Sequence, residues 1–221
     1  MASDDLPSPT HRNMVWLFWQ FLLQNVFQFW LRYRARGLEN IPQIGGGLIL
    51  ANHQSFLDPT LIGLPLRRPI SYLARDSLFH VPFIGWILRN TYVMPINRDA
   101  AGPAVLREAI RRMEHGFLVG IFPEGTRTHD GEVAHFKPGF ISLLRRAHMP
   151  VYPVGIAGAH VALPRNGWFL KPAKVCVMFG PAIDPAELEP LLAKGEEERL
   201  LEFIRERVCF YQRQAEDCRK L

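Results

Sequence analysis

Leu48-Ile-Leu-Ala-Asn-His-Gln-Ser-Phe-Leu-Asp58-Pro59 runs from four consecutive apolar residues into a polar turn and then into an aspartate-proline pair. A short unbroken apolar run bounded this way fits a buried strand. Aspartate followed by proline suits the cap and first position of a helix. The local order is therefore strand, turn, helix, and the same rhythm recurs along the chain. Apolar runs at 70–73, 92–96, 117–122, 151–156 and 175–179 are each bounded by Gly, Pro or charge. Helical stretches at 60–64, 83–89, 103–114 and 140–147 fall between them. In the run at 103–114, Val105, Ala109, Ile110 and Met113 share one face. A last run, 196–219, places Leu200, Ile204, Val208, Tyr211 and Ala215 on one side, as a helix packed against a sheet requires. The predicted fold class is α/β, a mixed and largely parallel central sheet flanked by helices. Functional groups are expected just beyond strand C-termini.

Upstream lies a different kind of segment. Residues 14–31, MVWLFWQFLLQNVFQFWL, carry no formal charge and are bounded by Arg12 and by Arg32, Arg34 and Arg36. As a helix the stretch is about 27 Å long, short of the roughly 30 Å hydrocarbon core of a bilayer. Gln20, Gln24 and Gln28 recur every fourth residue and collect with Asn13 and Asn25 on one side of the helix. Seven aromatics, Trp16, Phe18, Trp19, Phe21, Phe27, Phe29 and Trp30, crowd the same stretch, and such rings favour the headgroup region. The expectation is an N-terminal amphipathic helix lying in a membrane interface, with a buried core helix as the alternative. Asp4 and Asp5 before the run, and the lack of an A-x-A site after it, argue against a signal peptide. The chain divides into a membrane-associating segment, 1–36, and a body, 37–221.

The 221 residues are 48% hydrophobic and 21% charged, which excludes disorder. Mean hydropathy is −0.02, which excludes a polytopic membrane protein. The net charge of +5 is unevenly placed: residues 1–180 hold 19 Lys/Arg against 11 Asp/Glu, and 181–221 hold 7 against 10. A basic body suits acidic partners such as nucleic acid, phosphorylated metabolites or an anionic membrane face. The aromatics concentrate in the uncharged stretch instead of interleaving with Lys and Arg, which argues against nucleic acid. Cys176, Cys209 and Cys218 form an odd, widely spaced set without a CxxC pair, and a reducing compartment is expected. The eight histidines are scattered with no HExxH, so no metal site is expected. No GxSxG elbow is present, which argues against a serine hydrolase.

Two constellations carry chemistry. His53 and Asp58 are five residues apart and would sit about 140° apart on a continuous helix, so they meet only where the chain turns. If it turns, Asp58 accepts from one ring nitrogen of His53 and the other nitrogen serves as a general base. Otherwise Asp58 is a plain helix cap and His53 ends a strand, and spacing does not choose between the two. The second constellation, Phe117-Leu-Val-Gly-Ile-Phe-Pro-Glu-Gly-Thr-Arg127, repeats the strand-to-polar-turn logic. Pro123 and Gly125 shape the loop. Thr126 and Arg127 offer a hydroxyl and a planar fork suited to phosphate oxygens. Glu124 either holds Arg127 or bonds a substrate hydroxyl. A solvated Glu124–Arg127 surface pair is the alternative, worth about 0 to 1 kcal/mol.

Taken together, NHxSxxD followed about 70 residues later by FPEGTR resembles the glycerolipid acyltransferases, notably the 1-acylglycerol-3-phosphate acyltransferases. The resemblance covers roughly residues 37–181. It takes in Ala74–Phe79, Pro82–Gly85, Ile96-Asn97-Arg98, Phe136-Lys137-Pro138-Gly139, Val151-Tyr152-Pro153-Val154 and Phe179-Gly180-Pro181. It implies His53 as general base oriented by Asp58. It also implies Arg98, Glu124, Gly125, Thr126, Arg127 and Lys137 around the acceptor's glycerol phosphate, and Pro153 near the acyl chain. The implied reaction moves a fatty acyl group from a thioester donor, acyl-CoA or acyl-carrier protein, to a hydroxyl of a lysophospholipid acceptor. No other cofactor is implied. The expected location is the cytoplasmic face of a membrane, in phospholipid biosynthesis. A non-catalytic lipid-binding or transfer module at the membrane surface would use the same aromatic helix and basic body without the chemistry.

Overall fold

The computed structural model describes residues 6–96 and 102–221. The chain runs α1 (Met14–Trp30), β1 (Arg34–Arg36), β2 (Gly47–Ala51), α2 (Asp58–Gly63), β3 (Ile70–Arg75), α3 (Pro82–Asn90), β4 (Met94–Ile96) and α4 (Pro103–Glu114). It continues β5 (Leu118–Ile121), α5 (Ile141–Ala147), β6 (Val151–Ala157), α6 (Ala159–Ala162), β7 (Cys176–Phe179), α7 (Pro185–Leu188) and α8 (Glu197–Lys220). The seven strands form one sheet in the order β1-β7-β6-β2-β5-β3-β4. Neighbours are parallel except β6 and β7. The mixed, largely parallel sheet expected from the sequence is thus observed.

β2 sits in the middle of the sheet, and all five of its residues are buried. Its side chains still alternate, as strand geometry demands. Leu48 and Leu50 join Val119, Val151, Met113, Leu200 and Ile204 on one face. Ile49 and Ala51 join Leu118, Val154, Ile156, Leu61 and Ile62 on the other. A strand covered on both faces has no polar alternation, which is why the run reads as continuous.

The last residues of the segment 1–36 belong to the sheet. β1 pairs with β7 in the register Arg34↔Cys176, so the sheet begins three residues before the boundary drawn at 36/37. α1 rests on the same side as Ile49, with Phe27 and Leu31 in that core. Asn13 caps α1 by accepting from the Trp16 N–H at 2.8 Å. Gln20, expected on the polar side, turns inward and donates to the Leu64 and Leu66 carbonyls at 2.7 and 2.9 Å. Met14, Phe18, Phe21, Leu22 and Phe29 point outward and are exposed. No described helix is long and apolar enough to cross a membrane.

The cysteines correct the expectation drawn from their spacing. α8 folds across β7 and joins Cys218 to Cys176 in a disulfide with Cα atoms 6.2 Å apart. Motif spacing misses this pair because tertiary packing, not sequence proximity, brings the two residues together. Cys209 is free.

Candidate active site

The polar turn after β2 is held by hydrogen bonds at nearly every residue. Asn52 extends the sheet pairing through its side chain, donating to the Ile156 carbonyl at 3.0 Å and accepting from the Ile156 N–H at 2.7 Å. Gln54, fully buried, donates to the Gly131 carbonyl at 2.6 Å and accepts from the Ala159 N–H at 3.1 Å. Ser55 Oγ donates to the Leu163 carbonyl at 2.9 Å. Ser55 therefore braces the turn, and its hydroxyl is occupied there.

The turn brings His53 back onto Asp58. His53 Nδ1 lies 2.8 Å from Asp58 Oδ2. The same oxygen accepts the backbone N–H groups of Gln54 at 2.6 Å and Ser55 at 2.8 Å. Asp58 is wholly buried while the His53 side chain is 20% exposed, so the carboxylate is hidden and the imidazole reaches the surface. Burial pushes the Asp58 carboxyl above its ordinary value, against the pull of His53 and the backbone N–H groups of Ser55 and Gln54. With Nδ1 engaged, Nε2 is the nitrogen left for a substrate proton.

Phe122, immediately after β5, forms the wall behind this ring. Its ring stacks on His53 at 4.2 Å between centroids and on Tyr72 at 5.9 Å. Phe122 belongs to the FPEGTR block, but the sequence reading passed over it because a strand-end phenylalanine looks like ordinary core.

The loop beyond Phe122 is tied to the dyad turn through backbone. Thr128 N–H donates to the His53 carbonyl at 2.8 Å. Gly125 takes a positive φ of 68°, a conformation glycine adopts without a Cβ penalty. A Cβ there would stand 3.1 Å from Lys137 Cδ and 3.2 Å from its Nζ, so Lys137 lies across the loop. Arg165 donates from Nη1 to the Arg127 carbonyl at 3.0 Å. Nothing in the loop spanning 163–175 marked Arg165 for this position.

Glu124 points inward. It is 1% exposed, and its two oxygens accept the backbone N–H groups of His53 at 2.8 Å and Ala134 at 3.2 Å. Burial pushes its carboxyl up to about 7, against the lowering effect of those two bonds. The geometry makes Glu124 a clamp on the dyad turn; it bonds neither Arg127 nor open solvent. Gly125 and Thr126 are exposed and Arg127 is half-buried. Pro153 is the register partner of Leu50 inside the sheet, three residues short of His53 along the neighbouring strand. Arg98 lies outside the described residues.

A histidine oriented by a buried aspartate, clamped to a Gly-Thr-Arg loop across two adjacent parallel strands, is the geometry behind the motif pair. Residues 32–157 match the family model described as Acyltransferase, a span that contains both constellations. The chain belongs to the glycerolipid acyltransferase family. A 1-acyl-sn-glycerol-3-phosphate acyltransferase from Pseudomonas aeruginosa is 34% identical over 182 residues, covering 75% of this chain and 68% of that one. The enzyme of the same name from Borreliella burgdorferi is 31% identical over 174 residues, covering 78% and 68%. The crystal structure of the 1-acyl-sn-glycerophosphate acyltransferase from Thermotoga maritima superposes with a TM-score of 0.70 at 27% identity, covering 93% of this chain and 87% of that one. In this acyltransferase the helix-capped turn and the Gly-Thr-Arg loop sit past the C-terminal ends of β2 and β5, where a parallel sheet gathers its functional groups.

Proposed function

We propose that the protein transfers a fatty acyl group from a thioester, acyl-CoA or acyl-carrier protein, to the free hydroxyl of 1-acyl-sn-glycerol-3-phosphate, giving phosphatidate. The observation that carries this reading is the 2.8 Å contact between His53 Nδ1 and the buried Asp58. His53 Nε2 takes the hydroxyl proton as the oxygen attacks the thioester carbonyl. The C–S bond then breaks and the departing thiolate takes the proton from the imidazolium, which Asp58 stabilises meanwhile. No acyl-enzyme is required. Arg127 and Lys137, at the mouth of the loop, supply positive charge for the acceptor phosphate.

His53→Ala is the direct test. It should lower turnover by at least about 10³-fold while binding of the lysolipid, followed by titration, survives. Near-normal turnover in the purified variant would sink the mechanism.

Segment 1–36 gives the enzyme its membrane contact, at the cytoplasmic face, through the outward side of α1. Support comes from the exposed Met14, Phe18, Phe21 and Phe29 on a helix without a charged residue. Deleting the segment would also remove the core residues Phe27 and Leu31, so the informative variant is Phe18→Ser/Phe21→Ser/Phe29→Ser. It should release the protein from vesicles with its acyl transfer to a soluble short-chain acceptor intact.

A further inference from the structure

Trp168 and Phe169 stand side by side in the stretch between α6 and β7 and are 91% and 83% exposed. Two adjacent large apolar side chains held in water call for a partner surface. The segment that carries them is fixed to the body on several sides. Gly167 N–H closes a tight turn on the Pro164 carbonyl at 2.9 Å, and Lys171 N–H donates to the Ala162 carbonyl at 2.7 Å. Leu163 accepts from Ser55 in the dyad turn, and Arg165 reaches the Arg127 carbonyl. The aromatic pair is thus presented by a braced loop.

The same loop abuts α1. Trp30 Nε1 donates to the Leu170 carbonyl at 3.1 Å. Leu170, Val26, Phe29, Trp30 and Asn25 line an apolar groove of about 460 Å³ between the two elements. The two segments that form the groove carry charge of one sign. Residues 6–38 and 159–180 contain no Asp or Glu, while Arg32 and Lys171 are exposed beside the groove-forming residues.

We propose that the Trp168–Phe169 tip is a second lipid-inserting element, seated with the outward face of α1 on an anionic lipid surface. Indole and phenyl rings suit the headgroup boundary, and basic residues beside them add attraction to anionic lipid. The proposal rests on the membrane reading of α1 and extends it. Because the tip's own segment bonds the dyad turn and the Gly-Thr-Arg loop, seating it sets the height of His53 over the lipid surface. An acceptor then meets the imidazole without leaving the bilayer.

Sedimentation of the full chain with phosphatidylcholine vesicles, with and without phosphatidylglycerol, tests this. Trp168→Ala/Phe169→Ala should weaken binding by about tenfold or more. Lys171→Glu should weaken it only for the phosphatidylglycerol vesicles. The double variant should keep wild-type turnover on a short-chain, monomeric lysophosphatidate and lose turnover on an acceptor embedded in vesicles. Brominated lipid should quench wild-type fluorescence more than that of Trp168→Phe. If the loop variant binds like wild type while Phe18→Ser/Phe21→Ser/Phe29→Ser is released, the loop proposal is overturned and the α1 reading stands. If both variants are released, the tip and α1 insert together and the proposal is supported; if the loop variant alone is released, the α1 reading falls and the joint seating with it. Wild-type binding by both variants overturns both.

Discussion

Glu124 is joined to His53 through the back: its carboxylate accepts the histidine's backbone N–H at 2.8 Å, while its other oxygen accepts from Ala134. The one carboxyl of the FPEGTR loop thus faces the dyad turn, away from the exposed Gly125 and Thr126. This arrangement turns the glutamate away from the phosphate of the proposed acceptor. It also joins the two constellations, with His53 and Glu124 lying 71 residues apart in sequence, by a direct hydrogen bond.

Glu124→Gln keeps one acceptor oxygen and turns an amide NH₂ toward the second N–H, so one of the two bonds is lost at a cost of about 1–2 kcal/mol. Turnover should fall about tenfold with the acceptor KM nearly unchanged, because the residue acts through His53. A raised KM with unchanged kcat would mean that Glu124 touches the acceptor instead.

The same carboxyl makes stability depend on pH. Its folded value, about 7, lies above the ordinary 4.5, so its contribution is fully present below about 4.5 and is lost as pH rises through about 7. The loss amounts to about 3 kcal/mol. Urea denaturation from pH 4.5 to 8 should show wild type falling by that amount relative to Glu124→Gln, which carries no proton to lose. Parallel curves for the two proteins would refute the linkage.

How far the sequence carried this picture depends on what each feature leaves in the chain. β2, β3, β5 and β6 were legible because strands buried on both faces have long apolar runs. β1 was not: Arg34-Ala35-Arg36 joins the sheet by backbone pairing to β7 and shows no apolar run. The four-residue helices α6 and α7 are too short for a periodic signal. His53 and Asp58 were legible as candidates, but only the turn decides whether they meet, and that turn depends on Gln54 and Ser55 donating backbone N–H groups to the same oxygen. The direction in which Glu124 faces, and the pairing of Cys176 with Cys218, are tertiary facts with no local trace.

Asp58→Asn separates the orienting role from the charge. An amide oxygen still accepts from the backbone of Gln54 and Ser55, so the turn holds, but it no longer stabilises an imidazolium. Turnover should fall by about 10² to 10⁴-fold with little change in acceptor binding. Equal turnover in Asp58→Asn and wild type would leave Asp58 only as the acceptor that holds the turn at Gln54 and Ser55.

Gly125→Ala probes the loop mouth. The positive φ strains a residue with a Cβ by about 1–2 kcal/mol, and the new methyl lands on Lys137 Cδ and Nζ. Lys137 is an exposed, flexible side chain and swings away, so the fold survives while one cation leaves the mouth. The expected result is a higher KM for the phosphorylated acceptor, reproduced by Lys137→Ala. An unchanged KM in both variants would remove Lys137 from the phosphate site.

The Cys176–Cys218 disulfide closes a loop of 42 residues that includes the whole connection from β7 through α7 into α8. Restricting an unfolded loop of that length corresponds to about 4 kcal/mol in the chain-entropy model. Dithiothreitol should therefore lower the thermal and urea midpoints of the wild type markedly. Cys176→Ser/Cys218→Ser should match the reduced wild type and ignore the reductant. Cys209→Ser should behave like wild type under both conditions, because Cys209 is half-buried and free. α8 supplies Leu200, Ile204 and Val208 to the core at its start and Cys218 at its end. Reduction should accordingly loosen the C-terminal end of α8 first, visible as hydrogen exchange rising near Cys218 while Leu200 to Val208 stay protected. Exchange that rises uniformly along α8 would show that the helix opens as one unit with the sheet.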